Sequence, residues 1–157
     1  MNLDYRPTGP TGSPCIPQRV ALATGCFDLL HPGHLHLFHY ASRLADRLVV
    51  GLNSDASIQR LKGPTRPIMC QEARVAMVSA IRWVDQVIVF DEDDVVRLLG
   101  ELRPAVWVKG AGWTLDNMHQ GERRMAESIG CHLQFCPLVP GISTTDIVES
   151  IKKSAAT

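Results

Sequence analysis

Histidines and glycines cluster in one short segment, residues 25–34, with the sequence GCFDLLHPGH. His31 and His34 can each donate a hydrogen bond to a phosphate oxygen, either as a neutral ring or as a cation. Gly25 allows a ligand to approach the backbone, and Gly33 opens a predicted helix whose free N–H groups favour an anion. The segment therefore predicts a phosphate-binding loop. The alternatives are a loop cap formed by His31, and a zinc site for which no further ligand cluster is present.

Three hydroxyl side chains, Ser143, Thr144 and Thr145, open the last predicted helix. A single residue of this kind is enough to cap a helix, which is the simpler interpretation. Three in succession favour a second phosphate-binding position, where hydroxyl groups and free backbone N–H groups act together.

Basic residues follow two of the predicted strands. Lys62 and Arg66 lie in a loop that contains glycine and proline, as loops that close over substrates do. Lys109 ends a strand and can reach a phosphate, while Trp113 can pack against a base or a sugar. The alternatives are a solvated loop, a solvated strand end for Lys109 and core packing for Trp113.

The elements that must position these residues follow from the apolar pattern. Continuous apolar runs are typical of strands covered on both faces, and they occupy residues 19–24, 47–52, 86–90, 105–109 and 132–138. Helical patterns lie between them, near residues 33–45, 71–82, 93–102, 119–129 and 143–153. This alternation predicts an α/β fold with a parallel five-stranded sheet and helices on both faces. In such sheets ligands bind beyond the carboxyl ends of the strands, where the residues above are found.

The composition limits the function classes. The 157 residues include 16 Lys and Arg and 16 Asp and Glu, so the formal net charge is zero. We therefore expect neither nucleic-acid binding nor attachment to an acidic membrane surface. No apolar run has the length of a membrane span and no secretory signal is evident, which predicts a cytoplasmic protein. Residues 1–18 are proline-rich and predict a flexible tail, with residues 19–157 as a single domain.

The segment GCFDLLHPGH resembles the signature of the cytidylyltransferase-like nucleotidyltransferases, and ISTT at 142–145 resembles their second signature. The resemblance implies a Rossmann-like fold and transfer of a nucleotidyl group from a triphosphate to a phosphorylated small molecule. It implies that His31 and His34 are catalytic. We expect Mg²⁺ to be held mainly through the triphosphate, without a metal site made of protein ligands. The implied nucleotide-binding residues are Gly25, Cys26, Phe27, Asp28, His31, Gly33, His34, Arg74, Ser143, Thr144 and Thr145.

The middle segments are similar to one branch, the heptose 1-phosphate adenylyltransferases, which occur alone or as the second domain of bifunctional heptose kinase/adenylyltransferases. The similarity is carried by NSDASIQRLKGPTRP at 53–67 and by VKG at 108–110. It implies ATP and heptose 1-phosphate as substrates, a product used for lipopolysaccharide or surface glycans, and a catalytic Lys109. We also expect a homodimer. The expected substrate-binding residues are Asn53, Asp55, Lys62, Arg66, Lys109 and Trp113.

One position departs from this branch. Gly112 stands where relatives carry an aspartate just before the aromatic residue. Two alternative functions therefore stay open at this point. One is a CTP-dependent cytidylyltransferase acting on glycerol 3-phosphate or another polyol phosphate, and the other is a non-catalytic nucleotide-binding regulator.

Overall fold

A computed structural model describes residues 18–139, 141 and 143–155. The predicted tail, residues 1–18, lies outside this part of the chain except for Gln18. The strands are β1 (Val20–Gly25), β2 (Arg47–Asn53), β3 (Gln86–Phe90), β4 (Val106–Lys109) and β5 (His132–Phe135). The helices are α1 (Pro32–Ser42), α2 (Asp55–Lys62), α3 (Gln71–Ser79), α4 (Val96–Leu102), α5 (Gln120–Ser128) and α6 (Thr144–Ala155). The five strands form one parallel sheet in the order β3-β2-β1-β4-β5.

Both faces of the sheet are buried under helices, as predicted. Alternate residues of β1 point to opposite faces, so Ala21 and Leu22 belong to different core clusters. Helix α1 covers the Ala21 face with Phe38, which is fully buried. Helices α4 and α5 cover the Leu22 face with Leu99 and Ala126. The predicted α/β fold is confirmed.

The strand order creates a crevice at the carboxyl ends of β1 and β4. The chain runs outward from β1 through β2 to β3 on one side, and through β4 to β5 on the other. Ala21 pairs with Val106 and Ala23 with Val108, so β1 and β4 end side by side. Open α/β sheets bind ligands where the connections diverge in this way. The loops that follow β1 and β4 are therefore placed together at one edge.

Some boundaries differ from the predicted ones. The segment after β2, predicted only as a turn or a short helix, forms α2, because the Ser54 hydroxyl accepts a hydrogen bond from the Ser57 amide and caps the helix. Cys131 and Cys136 flank β5 instead of lying in it, and they are buried in different core clusters. Burial raises the pKa of the Cys131 thiol to about 11, which keeps it protonated. Among the described helices, none combines the length and apolarity needed to cross a membrane.

Candidate active site

The loop after β1 turns back sharply before α1 begins. Phe27 adopts a left-handed backbone conformation with a φ of 46°, which is unusual for a residue with a large side chain. Its ring meets the ring of His34 edge-on, with 5.2 Å between the centroids. A Cβ atom on Gly25 would lie 3.1 Å from the Phe27 ring. Glycine at position 25 therefore lets the aromatic ring fold over the strand end and support His34.

His31 caps the N-terminus of α1. Its Nδ1 accepts a hydrogen bond from the Gly33 amide at 3.1 Å, so the neutral ring carries its proton on Nε2. A Cβ atom on Gly33 would lie 2.9 Å from Cε1 of His31, a contact that only glycine avoids. The cap interpretation of His31 is thus correct, and it leaves the Nε2–H group as the donor for a ligand.

His34 stacks on His31, with 3.8 Å between the ring centroids and 30° between their planes. Burial lowers the pKa of His34 to about 4, and repulsion from His31 and Lys62 acts in the same direction. An interaction with the Leu29 backbone opposes this shift, yet Nδ1 of His34 is buried without a well-formed hydrogen bond. Burial also lowers the pKa of His31, although the Asp146 charge partly offsets it. Near pH 7 both rings are therefore neutral donors.

Three adjoining cavities open at this edge of the sheet. The first has a volume of about 360 Å³ and is lined by Asn53, Lys62, Lys109 and Trp113, among others. The second, about 250 Å³, contains His31, His34 and Ser143. The third, about 150 Å³, shares Lys62 and Trp113 with the first and His34 with the second. The cavities beside the histidine loop and beside the strand-end lysine therefore adjoin, with the third cavity sharing lining residues with both.

Lys109 is buried, contrary to the solvated alternative. Its ammonium group lies 2.7 Å from a carboxylate oxygen of Glu122, and both side chains are more than nine-tenths buried. The same group lies 4.4 Å from the ring centroid of Trp107 and 4.1 Å from that of Trp113. Two aromatic faces and one carboxylate therefore hold the charge at the wall of the first cavity.

Asp28 anchors the loop that carries Arg66. It accepts hydrogen bonds from the Ile68 and Met69 amides at 2.8 and 2.9 Å, and from the Arg66 guanidinium at 2.8 Å. Burial acts to raise the pKa of Asp28, but these hydrogen bonds outweigh it and hold the pKa below its ordinary value. The carboxylate thus ties the predicted lid loop to the histidine loop.

Arg74 is fully buried behind the carboxyl ends of β1 and β2. Its guanidinium donates to the backbone oxygens of Cys26, Asn53 and Met69, and to the carboxylate of Asp55 at 2.7 Å. One side chain therefore joins the ends of β1 and β2, the start of α2 and the Arg66 loop. This arrangement makes Arg74 a positioning residue.

The start of α6 reaches the same edge. The Ser143 hydroxyl accepts a hydrogen bond from the Asp146 amide at 3.2 Å and donates to its carboxylate at 2.7 Å, as a helix cap does. Ser143 also lines the second cavity, and Thr144 lines the third. Thr145 is exposed and lines none of the three.

Comparison with known proteins agrees with this geometry. The cytidylyltransferase-like family model matches residues 22–150. The chain belongs to the cytidylyltransferase-like family. This confirms the family expected from the GCFDLLHPGH and ISTT segments.

The curated relatives are longer than this chain. The bifunctional protein HldE of Geobacter sulfurreducens is 47% identical over 137 residues, covering 87% of this chain and 28% of that protein. HldE of Acidiphilium cryptum is 47% identical over 134 residues, or 85% and 27% of the two chains. The chain thus spans little more than a quarter of these relatives. They are bifunctional proteins, as the resemblance to the heptose branch predicts.

Solved structures with a similar fold superpose on the chain. A lipopolysaccharide core biosynthesis protein from Thermoplasma volcanium has a TM-score of 0.62 and 28% identity, and covers 75% of this chain and 93% of its own. A pantothenate synthetase from Thermus thermophilus has a TM-score of 0.57 at 16% identity, covering 87% and 64%. The second likeness shows the fold alone.

The structure brings most predicted site residues to the three cavities of this family member. The cavities are lined by Gly25, Cys26, Phe27, Asp28, His31, Gly33, His34, Asn53, Lys62, Lys109, Trp113, Ser143 and Thr144. Four others line none of them, namely Asp55, Arg66, Arg74 and Thr145. Asp55, Arg66 and Arg74 bind other protein groups instead, and a direct contact between any of the four and substrate stays a prediction.

Glu122 is a buried site residue that is absent from the predicted set, although the sequence carries a signal for its burial. Met118, Glu122, Ala126 and Ile129 follow helical spacing through α5 and its flanks, and the three apolar members pack in the core. A charged residue within an apolar stripe is buried only with a partner. Here the partner is Lys109.

Proposed function

We propose that this protein is a nucleotidyltransferase that transfers the adenylyl group of ATP to heptose 1-phosphate. The products are a nucleotide-activated sugar, used for lipopolysaccharide or surface glycans, and pyrophosphate. The observation that carries this proposal is the joined pair of cavities, one beside His31 and His34 and the other beside Lys109 and Lys62. Membership of the cytidylyltransferase-like family and the similarity to bifunctional HldE proteins support it.

The proposed reaction depends more on the positioning of the two substrates than on the activation of a nucleophile. An oxygen of the acceptor phosphate attacks the α-phosphorus and forms the new P–O bond, while the bond to the leaving pyrophosphate breaks in line. The acceptor oxygen is already anionic, so the reaction needs no serine, cysteine or strong base. Catalysis then consists of alignment and of neutralising the charge that develops on the phosphates.

The two histidines are suited to the triphosphate. His31 offers its Nε2–H group beside the N-terminus of α1, and His34 lies stacked against it as a neutral ring. At the start of α6, Thr144 adds a hydroxyl group and the helix adds free backbone amides, and Ser143, whose hydroxyl proton is donated to Asp146, lines the second cavity. Lys62 and Lys109 line the first cavity, where the acceptor phosphate is proposed to bind.

We propose Mg²⁺ as the metal, bound together with the triphosphate. The described residues contain no group of three or more His, Cys, Asp or Glu side chains placed to hold an ion. The Asp28 carboxylate is occupied by Arg66 and two amides. In the proposed complex the ion would be held by phosphate oxygens and water, and its charge would partly neutralise the triphosphate.

Pyrophosphate release tests the activity. The enzyme is assayed with each of the four ribonucleoside triphosphates against heptose 1-phosphate, glycerol 3-phosphate and other sugar phosphates. We expect the highest kcat/KM for ATP with heptose 1-phosphate. A preference for CTP with glycerol 3-phosphate would identify a cytidylyltransferase instead. Nucleotide binding without pyrophosphate release from any pair would identify a regulator.

We also propose a homodimer and a cytoplasmic location. Leu138 and Ile151 are 72% and 59% exposed, so both apolar side chains are available for a contact with a second copy. The cytoplasm supplies the proposed nucleotide substrate. Light scattering of the purified protein tests the dimer, since a monomer mass at micromolar concentration contradicts it.

A further inference from the structure

We infer that Glu122 selects the acceptor, by accepting hydrogen bonds from the hydroxyl groups of a polyhydroxylated phosphate ester while Lys109 binds its phosphate. This inference rests on the proposed function, in which the first cavity holds the sugar phosphate. It assigns a role in substrate specificity to a residue outside the two signature segments.

The Glu122 carboxylate has known partners and spare capacity. One oxygen lies 2.7 Å from Nζ of Lys109, and the other accepts a hydrogen bond from the Val95 amide at 3.2 Å. An ionised carboxylate has about four acceptor positions, so these two bonds leave room for more. Because Glu122 also lines the first cavity, a ligand there can supply the further donors.

Glu122 differs from the other carboxylate of this cavity. Among the described residues that line it, Asp93 and Glu122 carry carboxylates. Asp93 is bound by Arg60 at 2.8 Å and its side chain is 55% exposed. Gly112, beside Trp113, contributes no side chain at all. The buried and rigidly held carboxylate next to the Lys109 ammonium is therefore Glu122.

The pairing of charges matches a sugar phosphate better than a bare phosphate. Lys109 attracts the phosphate, whereas the charge of Glu122 repels any anion, and hydrogen bonds from the hydroxyl groups of a sugar can offset that repulsion. The Trp113 ring, 4.1 Å from Nζ, provides an apolar face on which a sugar can pack. A ligand that places hydroxyl donors beside its phosphate satisfies all three groups at once.

The Glu122→Gln variant separates hydrogen bonding to the sugar hydroxyl groups from attraction of the phosphate by Lys109. We measure the KM for heptose 1-phosphate, the inhibition constant of inorganic phosphate competing with it at saturating ATP, and the KM for ATP. Loss of a hydrogen bond to a charged group should raise the KM for heptose 1-phosphate about ten- to a hundredfold. Inorganic phosphate should bind equally well or more tightly, and the KM for ATP should stay within about twofold.

Glu127→Gln is the matched control. Glu127 lies on the same helix, is exposed and pairs with Arg123 at the surface, so all three constants should be unchanged. If Glu122→Gln weakens inorganic phosphate and heptose 1-phosphate equally, Glu122 acts only through Lys109 and the inference is wrong. Unchanged binding of both ligands overturns it as well.

A second variant guards against loss of folding. Glu122→Asp keeps the charge beside Lys109 but withdraws the carboxylate by one methylene. It should weaken the binding of heptose 1-phosphate without tightening that of inorganic phosphate, and full wild-type affinity for the sugar phosphate would contradict the inference.

Both ligands can also be titrated calorimetrically without reaction. Absent turnover by the wild type therefore counts against the proposed function, while the titrations still decide the role of Glu122.

Discussion

The neutral ring of His34 lines two of the three cavities, and its Nδ1 atom is buried. Its pKa of about 4 keeps the ring uncharged near pH 7, with one N–H group that can donate a hydrogen bond. Stacking on His31 and the edge of Phe27 hold the ring in place. A donor that is held in a fixed position stabilises the charge that develops in a transition state, because the donor needs little reorganisation during the reaction.

We expect His34→Ala to lower kcat by at least about 100-fold, the effect of deleting one transition-state donor. The fold should survive, which a thermal melt checks. His36→Ala, on the same helix, is the control and should retain wild-type turnover. Unchanged kcat of His34→Ala at saturating substrate would show that this histidine is not catalytic.

His34 should also leave a signature in the pH dependence of stability. The unfolded chain binds a proton at this ring near pH 6.5, whereas the folded protein does so near pH 4. Between these values the unfolded state binds more protons, so the free energy of unfolding falls as the pH falls from 6.5 to 4. The shift corresponds to roughly 3 kcal/mol at most.

Urea unfolding at a series of pH values measures how much His34 contributes to the pH dependence of the free energy of unfolding. The His34→Gln variant should lose less stability than the wild type between pH 7 and 4, by up to that amount. His36→Gln should keep the wild-type dependence. Parallel curves for His34→Gln and the wild type would mean that the pKa of His34 is not depressed by folding.

Lys109 is expected to bind the acceptor phosphate. Lys109→Met removes the charge and preserves much of the volume, so it should weaken heptose 1-phosphate by about ten- to a hundredfold and leave ATP binding nearly unchanged. Calorimetric titration with each ligand separately is the measurement. Loss of ATP affinity with sugar-phosphate affinity preserved would assign this lysine to the other substrate.

The buried pair complicates the single variant, and a double variant resolves it. Lys109→Met leaves the Glu122 carboxylate buried without its partner, which typically costs about 3–5 kcal/mol of stability. Lys109→Met with Glu122→Leu removes both charges and should recover most of that loss. Its affinity for the sugar phosphate should lie below that of Glu122→Gln, which lacks the carboxylate charge but keeps Lys109, so the remaining difference reports the binding role of Lys109 apart from its effect on folding.

The loop between α2 and α3 depends on two buried charged residues. Asp28 binds its Ile68 and Met69 amides, and Arg74 binds the Met69 carbonyl and the strand ends behind it. Asp28 lies 40 residues from Ile68, whereas Arg74 lies in α3, directly after the loop. The loop is therefore ordered by the histidine loop and α3, and it brings Arg66 to Asp28.

We expect Asp28→Asn to loosen this loop selectively. The amide side chain has one acceptor oxygen where the carboxylate has two, so the amides of Ile68 and Met69 should exchange with solvent about tenfold faster or more. Hydrogen exchange followed by mass spectrometry measures this, with β2 peptides as the internal reference. Equal protection of the loop in both proteins would show that Asp28 does not order it.

The whole molecule is built around the crevice between β1 and β4. One strand end leads to His31 and His34, the other carries Lys109, and their parallel pairing keeps both at the same edge. A ligand that bridges these ends contacts two halves of the sheet. Its binding energy therefore adds to the stability of the entire fold.

ATP at 100 times its dissociation constant should raise the free energy of unfolding by about 2.7 kcal/mol. For a chain of this size that corresponds to a rise in Tm of roughly 5–10 °C. Thermal melts with each of the four ribonucleoside triphosphates measure the effect and rank the bases. No shift with any triphosphate would contradict the proposed nucleotide site, and a larger shift with CTP would change the proposed base.

The sequence alone determined the sheet, and it located the two segments that we predict to bind phosphate. Strands buried on both faces leave continuous apolar runs, so β1 to β4 lie within about a residue of their predicted bounds, while β5 ends at Phe135, three residues early. The cap of α1 involves residues only two apart, His31 and Gly33, so local spacing was enough to indicate it. A contact of this range depends only on residues that are neighbours in the chain, so their spacing can indicate it.

The tertiary structure decided which charges meet. Lys109 pairs with Glu122 across 13 residues, and Asp28 with Arg66 across 38. Arg74, expected beside the nucleotide, is enclosed by three backbone carbonyls and Asp55. Ion pairs between distant segments have no periodic signature, because they depend on strand register, helix rotation and side-chain direction together. Those quantities exist only once the sheet and its helices have packed.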